Sequence, residues 1–167
     1  MLESSVEDPL VRERRIKFLA GLSPSHREGE VLYVHGSPRN HLNEYVFPED
    51  IYNERKMGKL GTQFDRVCFN GHTHVPGVFV ERGRDKWEFL GPEECVGGFR
   101  VVGRRVICNV GAVGQPRDGD WRACYVLFDG DTLWFRRVEY DVEATIRKIH
   151  AVPALDNFFG DRLREGR

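Results

Sequence analysis

Short apolar runs, each closed within a few residues by glycine, asparagine or aspartate, constrain this chain more than any other feature. Runs this brief are the length of strands rather than of helices, and an unbroken apolar run reads as a strand buried on both faces. Residues 31–34 (VLYV) lead into His35-Gly36, so they predict a buried strand that delivers its last side chains to a loop. Residues 66–70 (RVCFN) predict a second strand, Gly71-His72-Thr73-His74 a turn, and 75–80 a further apolar segment. Beyond it the runs 86–90, 98–102, 105–108, 123–128 and 132–138 are separated by Gly and Asp, with hairpin signals at Val102-Gly103-Arg104 and Asp129-Gly130-Asp131. The pattern predicts a β-meander.

Helices are expected on either side. Residues 8–22 place Leu10, Val11, Ile16, Leu19, Ala20 and Leu22 among arginines and glutamates, an amphipathic surface helix stopped by Gly21 and Ser23-Pro24. SHREGE, which follows, is a polar stretch. Pro48-Glu49-Asp50 predicts the start of a short helix reaching Lys59, ended by Gly58 and Gly61. Asp141 opens a helix with Val142, Ile146 and Ile149 on one face, a last short segment covers 156–163, and the tail REGR is expected to fray.

At 167 residues the chain has room for one domain, 1–167, and its 40% hydrophobic content suffices for one core. Lys+Arg at 25 nearly cancels Asp+Glu at 26, so the overall field that gathers nucleic acid is missing, and no aromatic-basic platform replaces it. No run reaches the roughly 20 apolar residues of a membrane span, and the first residues carry no apolar signal core, which points to the cytoplasm and away from membranes. Cys68, Cys95, Cys108 and Cys124 are scattered, with no CxxC, and read as buried free thiols.

Three of the six histidines, His35, His72 and His74, stand where predicted strands open into glycine-containing loops. Such a place offers a rigid base with open space in front, which suits a metal ligand. An HxH pair alone is weak, because histidine is unexceptional in polar turns.

Taken in order, VHGSPR (34–39), NGHTHVP (70–76) and NVGAVGQPRDGD (109–120) resemble the C-terminal motifs of the calcineurin-like metallophosphoesterases, in particular their small bacterial phosphodiesterase-like branch. The resemblance extends from about residue 8 to 142. It implies an α/β fold, a four-layer arrangement in which a two-sheet β-sandwich is flanked by helices, of which this chain is mostly the second half. It further implies that His35 and His72 ligate one ion of a two-metal centre and His74 the other. Two divalent ions about 3.5–4 Å apart polarise a phosphoryl group and hold a hydroxide for in-line attack. Imidazole accepts Mn, Fe, Zn or Ni. Arg39 and Arg117 are candidates for phosphate contact, since guanidinium matches phosphate oxygens bidentately, with ion pairs to Glu44 or Asp118 as the competing use. Asn109 and the glycines after it are expected to shape the supporting loop.

The family's Asp-x-His strand end, bridging Gly-Asp pair and Gly-Asn-His-Asp/Glu turn have no counterpart here; Gly119-Asp120, Gly130-Asp131 and Gly160-Asp161 all follow the GHTH turn. Three neutral imidazoles can neither offset nor bridge two divalent ions, so one weakly held ion is the most this chain is expected to keep, and it supplies no catalytic acid. The domain is therefore read as N-terminally incomplete: an internal start, a split gene or an excerpt. The expected function is hydrolysis of a phosphomonoester or phosphodiester, on a phosphorylated small molecule or nucleotide. It would be completed by the missing half in trans, by upstream sequence, or by self-association into a homo-oligomer. The competing reading is an inactive remnant that binds a metal or a protein.

Overall fold

A computed structural model describes residues 9–83 and 85–167; Asp8, at the expected start of the first helix, and Met1 to Ser4, at the expected internal start, lie outside them. Among the described residues the fold is α/β, with two sheets and four helices. The larger sheet has the order β1-β2-β3-β7-β4-β5, made of Ser25–Glu28, Val31–Val34, Val67–Asn70, Val106–Asn109, Gly77–Gly83 and Lys86–Leu90. The smaller runs β6-β9-β8, made of Phe99–Arg100, Thr132–Val138 and Ala123–Phe128.

The central strands β3, β7 and most of β4 are buried on both faces, and the period of two divides their side chains cleanly. Leu32, Cys68, Phe79 and Ile107 point to one side, where they meet Met57 and Leu60 of helix α2 (Glu54–Gly61) together with Val46 and Phe64. Val67, Phe69, Val78, Val80, Val106 and Cys108 point to the other, where Leu133, Val126, Phe128 and Phe135 of the smaller sheet cover them. The layers are thus helix, sheet and sheet. All four cysteines are free and buried, and burial pushes the Cys68 thiol up to about 12.

Several local expectations are corrected. β7 inserts between β3 and β4, parallel to β3 and antiparallel to β4, so the chain is no meander. Val102-Gly103-Arg104 is not a hairpin but the passage from β6 in one sheet to β7 in the other, whereas Asp129-Gly130-Asp131 does join the β8–β9 hairpin. SHRE is an edge strand, because β2 would otherwise leave its backbone groups unpaired on that side. The helix expected from Pro48 is two pieces, a 3-10 turn Pro48–Tyr52 and α2, separated where the Asn53 side chain accepts the Lys56 N–H at 3.0 Å; Gly58 lies inside α2. Helix α1 (Pro9–Ala20) forms but has no buried residue, because its apolar positions do not share one face; Leu10, Ile16, Phe18 and Leu19 are all exposed.

The tail does not fray. After helix α3 (Val142–His150) and the short α4 (Phe158–Asp161), a 3-10 turn Arg162–Glu165 buries Leu163, and Arg164 pairs with both Glu143 oxygens at 2.6 and 2.9 Å. Among the described residues no helix is long and apolar enough to cross a membrane.

Candidate metal centre

β2, β3 and β7 run parallel in register, Leu32 beside Cys68 and Cys68 beside Ile107, so their C-terminal ends finish at one edge of the sheet. Ligands of open α/β sheets bind at that edge. His35 follows β2, the Gly71–His74 turn follows β3, and the 110–120 loop follows β7.

Backbone and asparagine hydrogen bonds tie the three loops together. The Gly71 N–H donates to His35 O at 3.1 Å and Val110 N–H to Asn70 O at 2.9 Å. Asn70 Nδ2 donates to Gly36 O at 2.9 Å. Asn109, fully buried, donates through Nδ2 to Gly71 O and to Thr73 Oγ1, both at 2.7 Å, and accepts the Gly111 N–H at 3.0 Å. Gly36 is required by contact: a Cβ there would lie 2.7 Å from Asn40 O. His72 and His74 both adopt left-handed backbone, φ 64° and 63°, which non-glycine residues accept only where surrounding bonds impose it.

The turn brings His72 against His35, and His74 lines the same cavity. His35 Nε2 and His72 Nδ1 are 2.8 Å apart, within hydrogen-bond distance. The Tyr45 ring stacks on His72 with centroids 3.8 Å apart and an interplanar angle of 16°. His74 Nδ1 donates to Gln115 O at 2.7 Å; a carbonyl has no proton to give, so Nδ1 carries the hydrogen and Nε2 keeps its lone pair. Burial holds the His72 imidazolium below its ordinary pKa, helped by His35, His74 and Arg117 and opposed by a bond to the Asn43 backbone. Burial likewise lowers His74, with Arg117, His35 and Arg162 adding to it and the Gln115 bond opposing. Both rings are therefore neutral near pH 7, the form that binds metals.

The two arginines part ways. Arg39 Nε lies 2.8 Å from Glu44 Oε2, and Ser37 Oγ holds the same oxygen at 2.5 Å, so its charge is spent on the loop. Arg117 makes no ion pair among the described residues; its guanidinium donates to Gln115 Oε1 at 3.1 Å and acts on both His72 and His74. Asp118 instead pairs with Arg137. Asn40-His41 is loop, with His41 against Pro38 O.

A cavity of about 390 Å³ opens at this edge, its lining including His35, Asn70, His72 and His74 together with Tyr33 and Phe69, with no carboxylate. Asn70 Oδ1 is buried and has no hydrogen-bond partner among the described residues. Among the described residues no group of three or more His, Cys, Asp or Glu side chains is arranged to hold a metal ion. A two-ion centre therefore does not fit this chain's residues alone: the nitrogen donors are present, and the bridging and charge-balancing oxygen donors are not. Tyr45, Gln115 and Arg162 also belong to this neighbourhood. Gln115 stands within the QPRDGD string, whereas nothing local marks Tyr45 or Arg162, which arrive through packing.

No protein-family profile matches the chain. It is similar to the crystal structure of a metallophosphoesterase from Sphaerobacter thermophilus, with a TM-score of 0.78 and 32% identity over 92% of this chain and 62% of that one. The fold is thus part of a metallophosphoesterase fold. An uncharacterised protein of Methanocaldococcus jannaschii is 30% identical over 165 residues, 95% of this chain and 62% of that protein. A hypothetical protein from Pyrococcus horikoshii shares the fold, with a TM-score of 0.62 at 17% identity over 90% of this chain and 54% of the other. The chain therefore spans less than two thirds of the length of each of these relatives.

Proposed function

We propose that this chain is the histidine-bearing part of a metal-dependent phosphoesterase and acts on a phosphomonoester or phosphodiester only when joined by the rest of its domain. The observation that carries this reading is that His35, His72 and His74 follow the ends of parallel strands and line one cavity. His74 Nε2 is pre-oriented by Gln115, and neutral rings suit Mn, Fe, Zn or Ni. Arg117, free of carboxylates among the described residues, is the group we assign to a phosphate oxygen. Arg39 serves the loop through Glu44. The oxygen donors and the catalytic acid would come from the complementing segment, supplied upstream, in trans or by a second copy, and alone the chain would hold at most one ion, weakly. A second reading, an inactive domain that binds a metal or a protein, is favoured by the direct His35–His72 contact and the carboxylate-free cavity.

The test is hydrolysis of bis-(p-nitrophenyl) phosphate with added manganese by the 167-residue chain, alone and with the remaining segment of the domain, against His72→Ala/His74→Ala. Activity that needs both pieces and the two histidines supports the proposal. Turnover by the chain alone overturns the requirement for complementation, and silence of the combined pieces overturns the enzymatic reading.

A further inference from the structure

The bond that orients His74 is itself held from the far end of the chain. Gln115 accepts His74 Nδ1–H on its backbone carbonyl at 2.7 Å, while its side chain bridges two other groups: Nε2 donates to Arg167 O at 2.9 Å and Oε1 accepts from Arg117 at 3.1 Å. Arg117 N–H returns to His74 O at 3.1 Å, closing a ring of bonds between the two loops. The 166–167 segment is anchored in turn by Gly119 N–H to Gly166 O at 3.2 Å and Arg167 N–H to Arg162 O at 3.1 Å. Its approach is so close that a Cβ on Gly166, whose φ is +64°, would sit 2.7 Å from the Asp120 backbone.

We propose that Gln115 is a positioning residue for His74 and Arg117, and that residues 166–167 latch it in place. The imidazole tautomer and the guanidinium then become joint consequences of one docked segment: when 166–167 leaves, Gln115 loses a partner, its carbonyl gains freedom, and His74 no longer keeps its proton on Nδ1. The value of the device rests on the proposed role of His74 as a donor, but its existence does not.

The experiment is nitrogen NMR of ¹⁵N-histidine-labelled protein at pH 8 without metal, which reads the Nδ1–H to Nε2–H ratio of His74 independently of any hydrolysis. Gln115→Ala is expected to lower that ratio about three- to tenfold, the worth of one neutral hydrogen bond. Gly166→Val acts from outside the loop and is expected to shift the ratio in the same direction, as is Gln115→Glu, which keeps an acceptor for Arg117 but loses the donor to Arg167. A remote core variant of matched stability, Phe79→Leu, should leave it unchanged. If Gln115→Ala fails to fold, Gly166→Val decides. A ratio unmoved by the latch variants, or moved equally by Phe79→Leu, overturns the proposal.

Discussion

Asn109 is where the fold and the site meet most directly, and Asn109→Ala measures how much of the histidine turn depends on it. The side chain is fully buried and makes three hydrogen bonds to the two loops. Gly71 O and Thr73 Oγ1 each keep a second partner after truncation, the Thr73 N–H at 2.7 Å and the Val75 N–H at 3.3 Å. Gly111 N–H keeps none among the described residues. One orphaned buried donor costs about 1–3 kcal/mol and each of the two other bonds about 0.5–1.5 kcal/mol, roughly 2–6 kcal/mol in all. The adjoining cavity lets water reach part of this surface, so a loss of about 2–4 kcal/mol is expected. Urea unfolding followed by tryptophan fluorescence would register it as a midpoint lowered by about 1–2 M at an unchanged slope near 2 kcal/mol/M. A loss below about 0.5 kcal/mol would refute the claim that Asn109 holds the turn.

Three further outcomes are expected. Burial raises the Glu44 carboxyl but the bonds from Arg39 and Ser37 outweigh it, leaving its pKa below the ordinary value. A carboxyl depressed on folding stabilises above its unfolded pKa, about 4.3, and that contribution is lost as pH falls through the lower folded value; amide exchange at Gly36 and Asn43 should accelerate there, and Glu44→Gln should remove the pH dependence. With Cys68 pushed up to about 12, Cys95 and Cys124 to about 11, and Cys108 raised well above its ordinary value by burial, the native protein at pH 8 should leave Ellman's reagent unreacted over minutes and release all four thiols in denaturant; one fast native thiol would contradict the packing. Leu133→Ala, at a wholly buried position between the sheets, should cost about 2–5 kcal/mol by calorimetry, and an unshifted melting temperature would show that the two sheets do not share this core.

What the sequence by itself determined are the elements whose signal is local. The short apolar runs VLYV, VCF and VIC are strands because runs this brief, apolar at every position, suit a sheet buried on both faces. Asp141 caps its helix through the Ala144 N–H at 2.9 Å, and Asp129-Gly130-Asp131 closes its hairpin, each within a few residues. His35, His72 and His74 could be singled out because their glycine neighbours announce loops. Tertiary structure alone decided the rest. β7 pairs with β3 across 35 intervening residues, which no local period encodes. Ser25–Glu28 is a strand for the sake of β2's free edge, despite polar side chains. Arg39 and Arg117 look equivalent in sequence, and only the folded loop gives one a carboxylate and leaves the other beside the histidines. Gln115 belongs to the site because its carbonyl meets His74 Nδ1, while its side chain meets Arg167, far along the chain. A hydrogen bond or an ion pair is set by which loops meet in space, and that meeting is set by burial of the two sheets rather than by the residues nearest in the chain.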